Sequence, residues 1–194
     1  MELLQIGLIF LGGFPILATA FLSYQIMRNG QGAIGKPTIT AWLFYTTKFF
    51  IGFLLGCVFL ASIQPDFFHH FPWLIQNQIP EVQKLLSLIF LFAGNLLLIP
   101  AYYSLSIFTR VGLPTKEHAL QTEGVYKISR NPMYTSFFFF FAACFLLIPS
   151  LIVALVIVFN LVAHHFIILN EERFLETTFT QEYLKYKKNT ARYL

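Results

Sequence analysis

Apolar residues form long runs along this chain, and each run ends at a short polar or turn-forming segment. Runs of about 20 apolar residues are long enough to cross a bilayer as helices. We therefore predict an all-α fold, an integral membrane bundle of five transmembrane helices. The predicted spans are residues 3–27, 40–63, 81–108, 133–148 and 150–170.

The segments between the runs define how the spans are connected. Residues 64–66, Gln-Pro-Asp, end the second span, and the junction Pro149-Ser150 leaves room only for a tight helical hairpin between the last two spans. Residues 171–194 combine aromatic and aliphatic side chains with Lys and Arg, which predicts an amphipathic helical segment lying along the membrane surface. We expect residues 1–194 to form one membrane domain.

Composition excludes a water-soluble protein. The 194 residues are 57% hydrophobic and only 11% charged, and Phe alone contributes 24 of them. The mean hydropathy is +0.67, so the lipid bilayer is the expected partner, and we predict no nucleic-acid partner. Cys57 and Cys144 both lie inside apolar runs without His or Cys neighbours at ligand spacing, so neither a disulfide nor a metal site is predicted.

Basic residues predict how the spans are oriented. Loops that stay in the cytoplasm carry an excess of Lys and Arg. Five spans with the N-terminus outside and the C-terminus in the cytoplasm place every basic segment on one side, and a prokaryotic plasma (inner) membrane is the expected location. These basic residues are Arg28 and Lys36 after the first span, Arg110, Lys116, Lys127 and Arg130 after the third, and Lys185, Lys187, Lys188 and Arg192 after the fifth.

The longest polar interval in the second half of the chain runs from His118 to Tyr134. Within it, Asn131-Pro132 is a helix-start signal, because an Asn side chain can cap a helix and Pro suits the first helical position. This interval therefore ends at the mouth of the fourth span.

A second polar cluster, with Glu171 and Glu172 at its centre, follows the fifth span. Two adjacent carboxylates would face the negative end of the helix dipole if the helix stopped there, so a nearby cation would be needed to stabilise them. Arg130 is one candidate, and a positively charged ligand is another. The plainer interpretation is a solvated continuation of the helix.

These motifs together resemble the isoprenylcysteine carboxyl methyltransferase and phospholipid methyltransferase superfamily. The resemblance rests on Gly-Val-Tyr-x-x-x-Arg-Asn-Pro-Met-Tyr from Gly124 to Tyr134, an apolar hairpin, and then Glu171-Glu172. Phe179, Tyr183, Tyr186 and Arg192 complete the pattern. It covers about the last 80 residues, from Gly112 onward.

The resemblance implies an integral membrane methyltransferase that uses S-adenosylmethionine and acts on a lipophilic small molecule or lipid at the cytoplasmic membrane face. The cofactor region would comprise residues 112–134 and 164–194. The residues that the resemblance assigns to the cofactor are His118, Ala119, Leu120, Gln121, Gly124, Tyr126, Asn131, Pro132, Tyr134 and Glu171.

Candidate catalytic residues are Arg130, Glu172 and His165, with His164 as an alternative base near the end of the fifth span. For both His residues the plainer interpretation is a polar side chain that reaches the interface. The chain departs from the carboxyl methyltransferases at Ile167, where they place an Arg for the substrate carboxylate. Thr180 also stands where the family usually has Gly.

Two other functions remain open from the sequence. Membrane sterol reductases share a similar C-terminal topology and bind a nicotinamide dinucleotide, so an NADPH-dependent reductase is the first alternative. A non-enzymatic membrane protein, in which the polar clusters form a salt-bridged cap, is the second.

Overall fold

The computed structural model describes residues 3–30, 37–74, 78–105 and 119–194. The described chain forms five long helices and two short 3₁₀ helices, Phe67–His70 and Gly124–Lys127. The five helices confirm the predicted all-α class. They are α1 (Leu3–Arg28), α2 (Ala41–Ile63), α3 (Glu81–Leu105), α4 (Pro132–Leu147) and α5 (Leu151–Asn189).

Length and composition allow four of the described helices, α1, α2, α3 and α5, to cross a membrane. Helix α4 is equally apolar but has only 16 residues. It is therefore about 24 Å long, which is short of a hydrocarbon layer of about 30 Å. The predicted helix boundaries agree with the first four helices within one residue, except that residues 106–108 lie outside the described residues.

Helix α4 lies in the interior of the bundle and packs most extensively against α3. Its side chains Phe140, Phe141 and Cys144 are almost completely buried. Gly94 of α3 faces the Phe140 ring so closely that an added Cβ would overlap the ring. A glycine at this position therefore allows the two helices to approach each other.

The outward faces of the long helices carry large apolar side chains. Phe10, Phe49, Leu155 and Phe166 are each more than half exposed. Such surfaces would be unfavourable in water and suit contact with lipid tails.

Helix α5 extends well beyond residue 170, the predicted end of the fifth span, and so includes the helical continuation that the sequence allowed. Residues 171–179 contain no Gly or Pro, so the backbone hydrogen bonding of the helix continues after its apolar surface ends. The amphipathic segment is thus continuous with the span rather than a separate helix. Thr180 interrupts it with φ 41° and ψ −111°, which produces a kink.

Candidate functional site

Two segments that flank the α4–α5 hairpin lie side by side at one end of the bundle. Residues 129–131 precede α4, and residues 190–192 follow α5. Ser129 and Ala191 form an isolated parallel bridge, and the amide of Arg130 donates a hydrogen bond to the carbonyl oxygen of Ala191 at 2.9 Å. The hairpin is therefore closed at this end by its own flanking segments.

Glu172 is the centre of a buried ion-pair network. Arg130 donates to both of its carboxylate oxygens, at 3.2 Å from Nε and 3.3 Å from Nη2. Arg192 donates to Oε2 at 3.1 Å from Nε and 3.0 Å from Nη2. The Glu172 side chain is only 5% exposed and the Arg130 side chain only 8%, so these charges depend on each other for stabilisation.

Asn131 is the N-cap residue of α4, as the helix-start signal predicted, but its side chain joins this network and makes no capping hydrogen bond. Its amide donates to Glu172 Oε1 at 3.0 Å and to the carbonyl oxygen of Arg192 at 3.2 Å. A capping bond would use Oδ1 as the acceptor, whereas the charge-assisted bond from Nδ2 to the Glu172 carboxylate fixes the side-chain amide in this orientation. Pro132 is the first residue of α4, as predicted.

Arg130 and Glu172 are thus fully engaged with neighbouring groups. Arg130 donates further hydrogen bonds to the carbonyl oxygens of Lys187 and Thr190. Glu172 has donors on both oxygens, and α5 continues past it, so the predicted conflict with a helix terminus does not arise. The arrangement is that of a structural network, and the catalytic roles of these two residues remain predictions.

Glu171 points to a different side of α5, because adjacent helical residues are about 100° apart. Tyr134 donates a hydrogen bond from its hydroxyl to Glu171 Oε1 at 2.7 Å. Tyr134 is 4% exposed, and Lys48 of α2 places its ammonium 5.2 Å from the centre of the Tyr134 ring. The His164 ring lies 5.6 Å from the same ring. We call Lys48, Tyr134, His164 and Glu171 the interior polar cluster.

His164 and His165 occupy different surroundings. His164 is fully buried, and its Nδ1 lies 2.7 Å from the carbonyl oxygen of Asn160. Since a carbonyl oxygen only accepts, Nδ1 carries the proton and Nε2 has a free lone pair. That Nε2 has no hydrogen-bond partner among the residues that the structure describes. His165, the predicted catalytic histidine, instead contacts the Tyr193 hydroxyl at 2.7 Å, outside the interior polar cluster.

Tyr126 connects the 3₁₀ helix Gly124–Lys127 with α5. Its carbonyl oxygen accepts a hydrogen bond from the Tyr186 hydroxyl at 2.6 Å, and its side chain is buried. Burial raises the pKa of the Tyr126 phenol, and the nearby Tyr186 and Glu171 raise it further. The phenol is therefore neutral at physiological pH and can donate a hydrogen bond.

The structure gives fewer contacts for the other residues that were predicted to bind the cofactor. Gly124 has φ 62° and is exposed, and an added Cβ would lie 3.7 Å from the Ser104 hydroxyl at the end of α3. Ala119 is exposed, whereas Leu120 and Gln121 are half-buried. His118 lies outside the described residues. The assignment of all these residues to a cofactor remains a prediction.

From the sequence, Lys48 was expected to reach the interface or to need a partner, but no partner could be named. The Ser129 side chain and the pairing of Arg192 with Glu172 were not predicted. A single Lys within an apolar span is itself a signal, because an ionisable group inside a membrane is costly and often functional. Arg192 was visible only as part of a motif. Its pairing with Glu172, 20 residues earlier, depends on the kink at Thr180 and on the end of α5.

The fold and these contacts define a class, namely multi-pass helical membrane proteins with a polar site at one end of the bundle. The sequence profile of phospholipid methyltransferases matches residues 82–182, just over half of the chain, and the chain belongs to the phospholipid methyltransferase family. Comparison with curated proteins finds no match. Family membership indicates a membrane methyltransferase. Lys48 and the segment 190–192 lie outside the matched range.

Proposed function

We propose that the protein transfers a methyl group from S-adenosylmethionine to a lipophilic small molecule or lipid at the cytoplasmic membrane face. The observation that carries this proposal is the difference between two adjacent carboxylates. Glu172 is saturated by two arginines and an amide. Within the described residues, Glu171 receives a hydrogen bond from Tyr134 and faces the bundle interior, so it is the carboxylate suited to bind a ligand.

The residues around Glu171 fit the chemistry of this cofactor. A carboxylate can accept hydrogen bonds from ribose hydroxyls or from an ammonium group. The aromatic faces of Tyr126 and Tyr134 suit a sulfonium cation. Both rings are buried, which strengthens such an interaction.

S-adenosylmethionine, which Glu171, Tyr126 and Tyr134 would hold, would supply an electrophilic methyl group to a lone pair of a neutral acceptor atom. The sulfur would keep the electron pair of the broken S–C bond, and an amine acceptor would afterwards release a proton to water. The contribution of the chain is orientation and the exclusion of water. Phe137 and Phe141, which pack beside His164, add apolar surface to the interior that would help to exclude water. The Glu172 network fixes α4 and α5 and therefore holds Tyr134 against Glu171.

We infer that the end of the bundle where α4 begins faces the cytoplasm. The bridge between Ser129 and Ala191 brings two basic segments, one before α4 and one after α5, to the same end. Basic segments near spans favour the cytoplasmic side. Labelling a cysteine introduced at the exposed residue Lys127 with a membrane-impermeant reagent, in intact cells and in inverted vesicles, tests this orientation.

Calorimetric titration of S-adenosylmethionine into the purified protein in detergent tests the proposed function. Glu171→Gln removes the charge but keeps the shape of the side chain. The loss of a charge-assisted hydrogen bond should weaken binding of S-adenosylmethionine by about tenfold to a hundredfold. Tyr134→Phe should weaken binding by a smaller factor, because Glu171 keeps its charge. Glu81→Gln is the matched control, since Glu81 is exposed, pairs with Lys84 and lies outside the proposed cofactor region.

The proposal fails if the wild-type protein does not bind S-adenosylmethionine at millimolar concentration. A response to NADPH instead would favour the reductase alternative, and no response to either cofactor would favour the non-enzymatic one. Equal losses in Glu171→Gln and Glu81→Gln would show that Glu171 has no specific part in binding.

A further inference from the structure

Lys48 is a cation inside the apolar helix α2, and its position is unusual. It lies eighth in the helix, about 10 Å from the start. The ammonium sits 5.2 Å from the centres of two rings, those of Phe44 and Tyr134. Phe44 is fully buried and Tyr134 nearly so, so the two rings direct the ammonium toward the bundle interior.

The neighbours of Lys48 do not fully compensate its positive charge. Tyr134 relates it to Glu171, because the centre of the Tyr134 ring lies 5.2 Å from the ammonium and the Tyr134 hydroxyl binds Glu171. The ion pairs formed within the described residues, however, do not include Lys48. Cation–π contacts compensate only part of the cost of an ammonium inside a membrane.

A second group in the same cluster also lacks a partner. The His164 ring lies 5.6 Å from the Tyr134 ring, and its Nε2 is a buried acceptor without a donor among the described residues. Buried unpaired groups are uncommon, and each calls for an explanation such as a ligand. A ligand with an anionic group for Lys48 and an N–H or O–H for His164 would satisfy both.

The charge balance favours an anion as well. Lys48 and Glu171 together are neutral, whereas S-adenosylmethionine carries one net positive charge. This excess positive charge is costly in a site of low dielectric constant. A methyl acceptor that carries one negative charge would bring the net charge of the occupied site to zero.

We propose that Lys48 binds the anionic group, a phosphodiester or a carboxylate, of the molecule that accepts the methyl group. This inference rests on the proposed function and adds a residue of α2 that recognises the acceptor. His164 Nε2 then accepts a hydrogen bond from the protic group of the same molecule. Lys48 is a specificity-determining residue in this arrangement.

Binding of defined amphiphiles, measured by native mass spectrometry with S-adenosylhomocysteine present, tests the proposal. The probes are a short-chain phosphatidylethanolamine (phosphodiester and amine), lauric acid (carboxylate) and dodecylamine (amine without an anion). Lys48→Met removes the charge at similar volume and should weaken binding of at least one anionic probe by about tenfold or more. Dodecylamine binding should stay nearly unchanged, and Lys48→Arg should retain the anionic probe.

The anionic probe whose binding is weakened in Lys48→Met shows whether the site recognises a phosphodiester or a carboxylate. Lys84→Met is the matched control, because Lys84 pairs with Glu81 at the start of α3, at the other end of the bundle. Turnover of the same probes gives a second readout, in which Lys48→Met should raise the KM of the anionic acceptor more than it lowers kcat.

Equal losses for dodecylamine and the anionic probes would overturn the proposal in favour of a structural role for Lys48. Unchanged affinity for both anionic probes would overturn it as well. Binding of S-adenosylmethionine, measured on the same variants, separates the two proposals. If the wild type does not bind the cofactor but anion binding still requires Lys48, the anion site stands and the methyltransferase proposal falls.

Discussion

Replacing Glu172 with Gln should strongly destabilise the protein, whereas the same change at Glu171 should not. Glu172→Gln removes the charge that compensates Arg130 and Arg192 and turns one acceptor oxygen into a donor. Arg130, whose side chain is 8% exposed, would then be a buried cation without an anionic partner.

The size of the effect follows from the burial of the three partners. Removing one member of a buried ion pair typically costs about 3–5 kcal/mol. Arg192 is 32% exposed, so solvent screens its part, and we expect the lower end of that range, about 3 kcal/mol. For a chain of this size such a loss lowers the melting temperature by about 6–12 °C.

The protein provides its own reporter for this measurement. Cys57 and Cys144 are free thiols, and Cys144 is buried in α4, so a thiol-reactive fluorescent dye follows unfolding in detergent. Glu171→Gln is the matched control and should melt within about 2 °C of the wild type, because Glu171 forms no direct ion pair within the described residues and the variant keeps a hydrogen bond with Tyr134. A Glu172→Gln variant as stable as the wild type, or equal losses at the two positions, would refute the division between the two carboxylates.

Three further predictions use the same thermal assay. Thr180→Gly should raise stability by about 1 kcal/mol, because Thr180 is exposed and its positive φ suits glycine. An unchanged or lower melting temperature would contradict this. Thr180→Ala, which keeps a Cβ, is the control. Gly94→Ala should destabilise by about 1–3 kcal/mol, since the new Cβ overlaps the Phe140 ring. Gly56→Ala, at a site with open space, should lack that cost, and equal effects would argue against the close approach. Tyr186→Phe should cost about 1 kcal/mol by removing the bond to the Tyr126 carbonyl, and a neutral result would show that this bond adds nothing.

The helices were predictable because apolar run length is a direct physical signal. The starts of α2 and α4 lie within one residue of the sequence expectation, since Pro132 marks one and a polar-to-apolar change marks the other. The continuation of α5 past residue 170 was the plainer of two interpretations that the sequence allowed, because the end of an apolar surface does not by itself end a helix. Backbone hydrogen bonding continues until a residue such as Thr180 breaks the geometry.

The candidate site was predictable as a set of residues, and Arg130 was correctly named as a candidate partner of the acidic pair, but the other partners were not predictable. The motifs indicated Tyr134, Glu171 and Glu172, yet the sequence could not separate the roles of adjacent acids, because that depends on the rotation of α5. Lys48 could not be connected with Glu171 at all, because the two residues are 123 positions apart and meet only through the packing of α2 on α5.

The bridge between Ser129 and Ala191 has a consequence for how the protein is made. The two segments that it joins are separated along the chain by the whole α4–α5 hairpin, so neither can find its partner until both helices have entered the bilayer and turned back. Closing such a long loop is slow compared with forming a helix. The polar site should therefore assemble after membrane insertion, and a chain whose hairpin inserts incorrectly would leave Arg130 and Glu172 unpaired, a state that quality-control proteases could recognise.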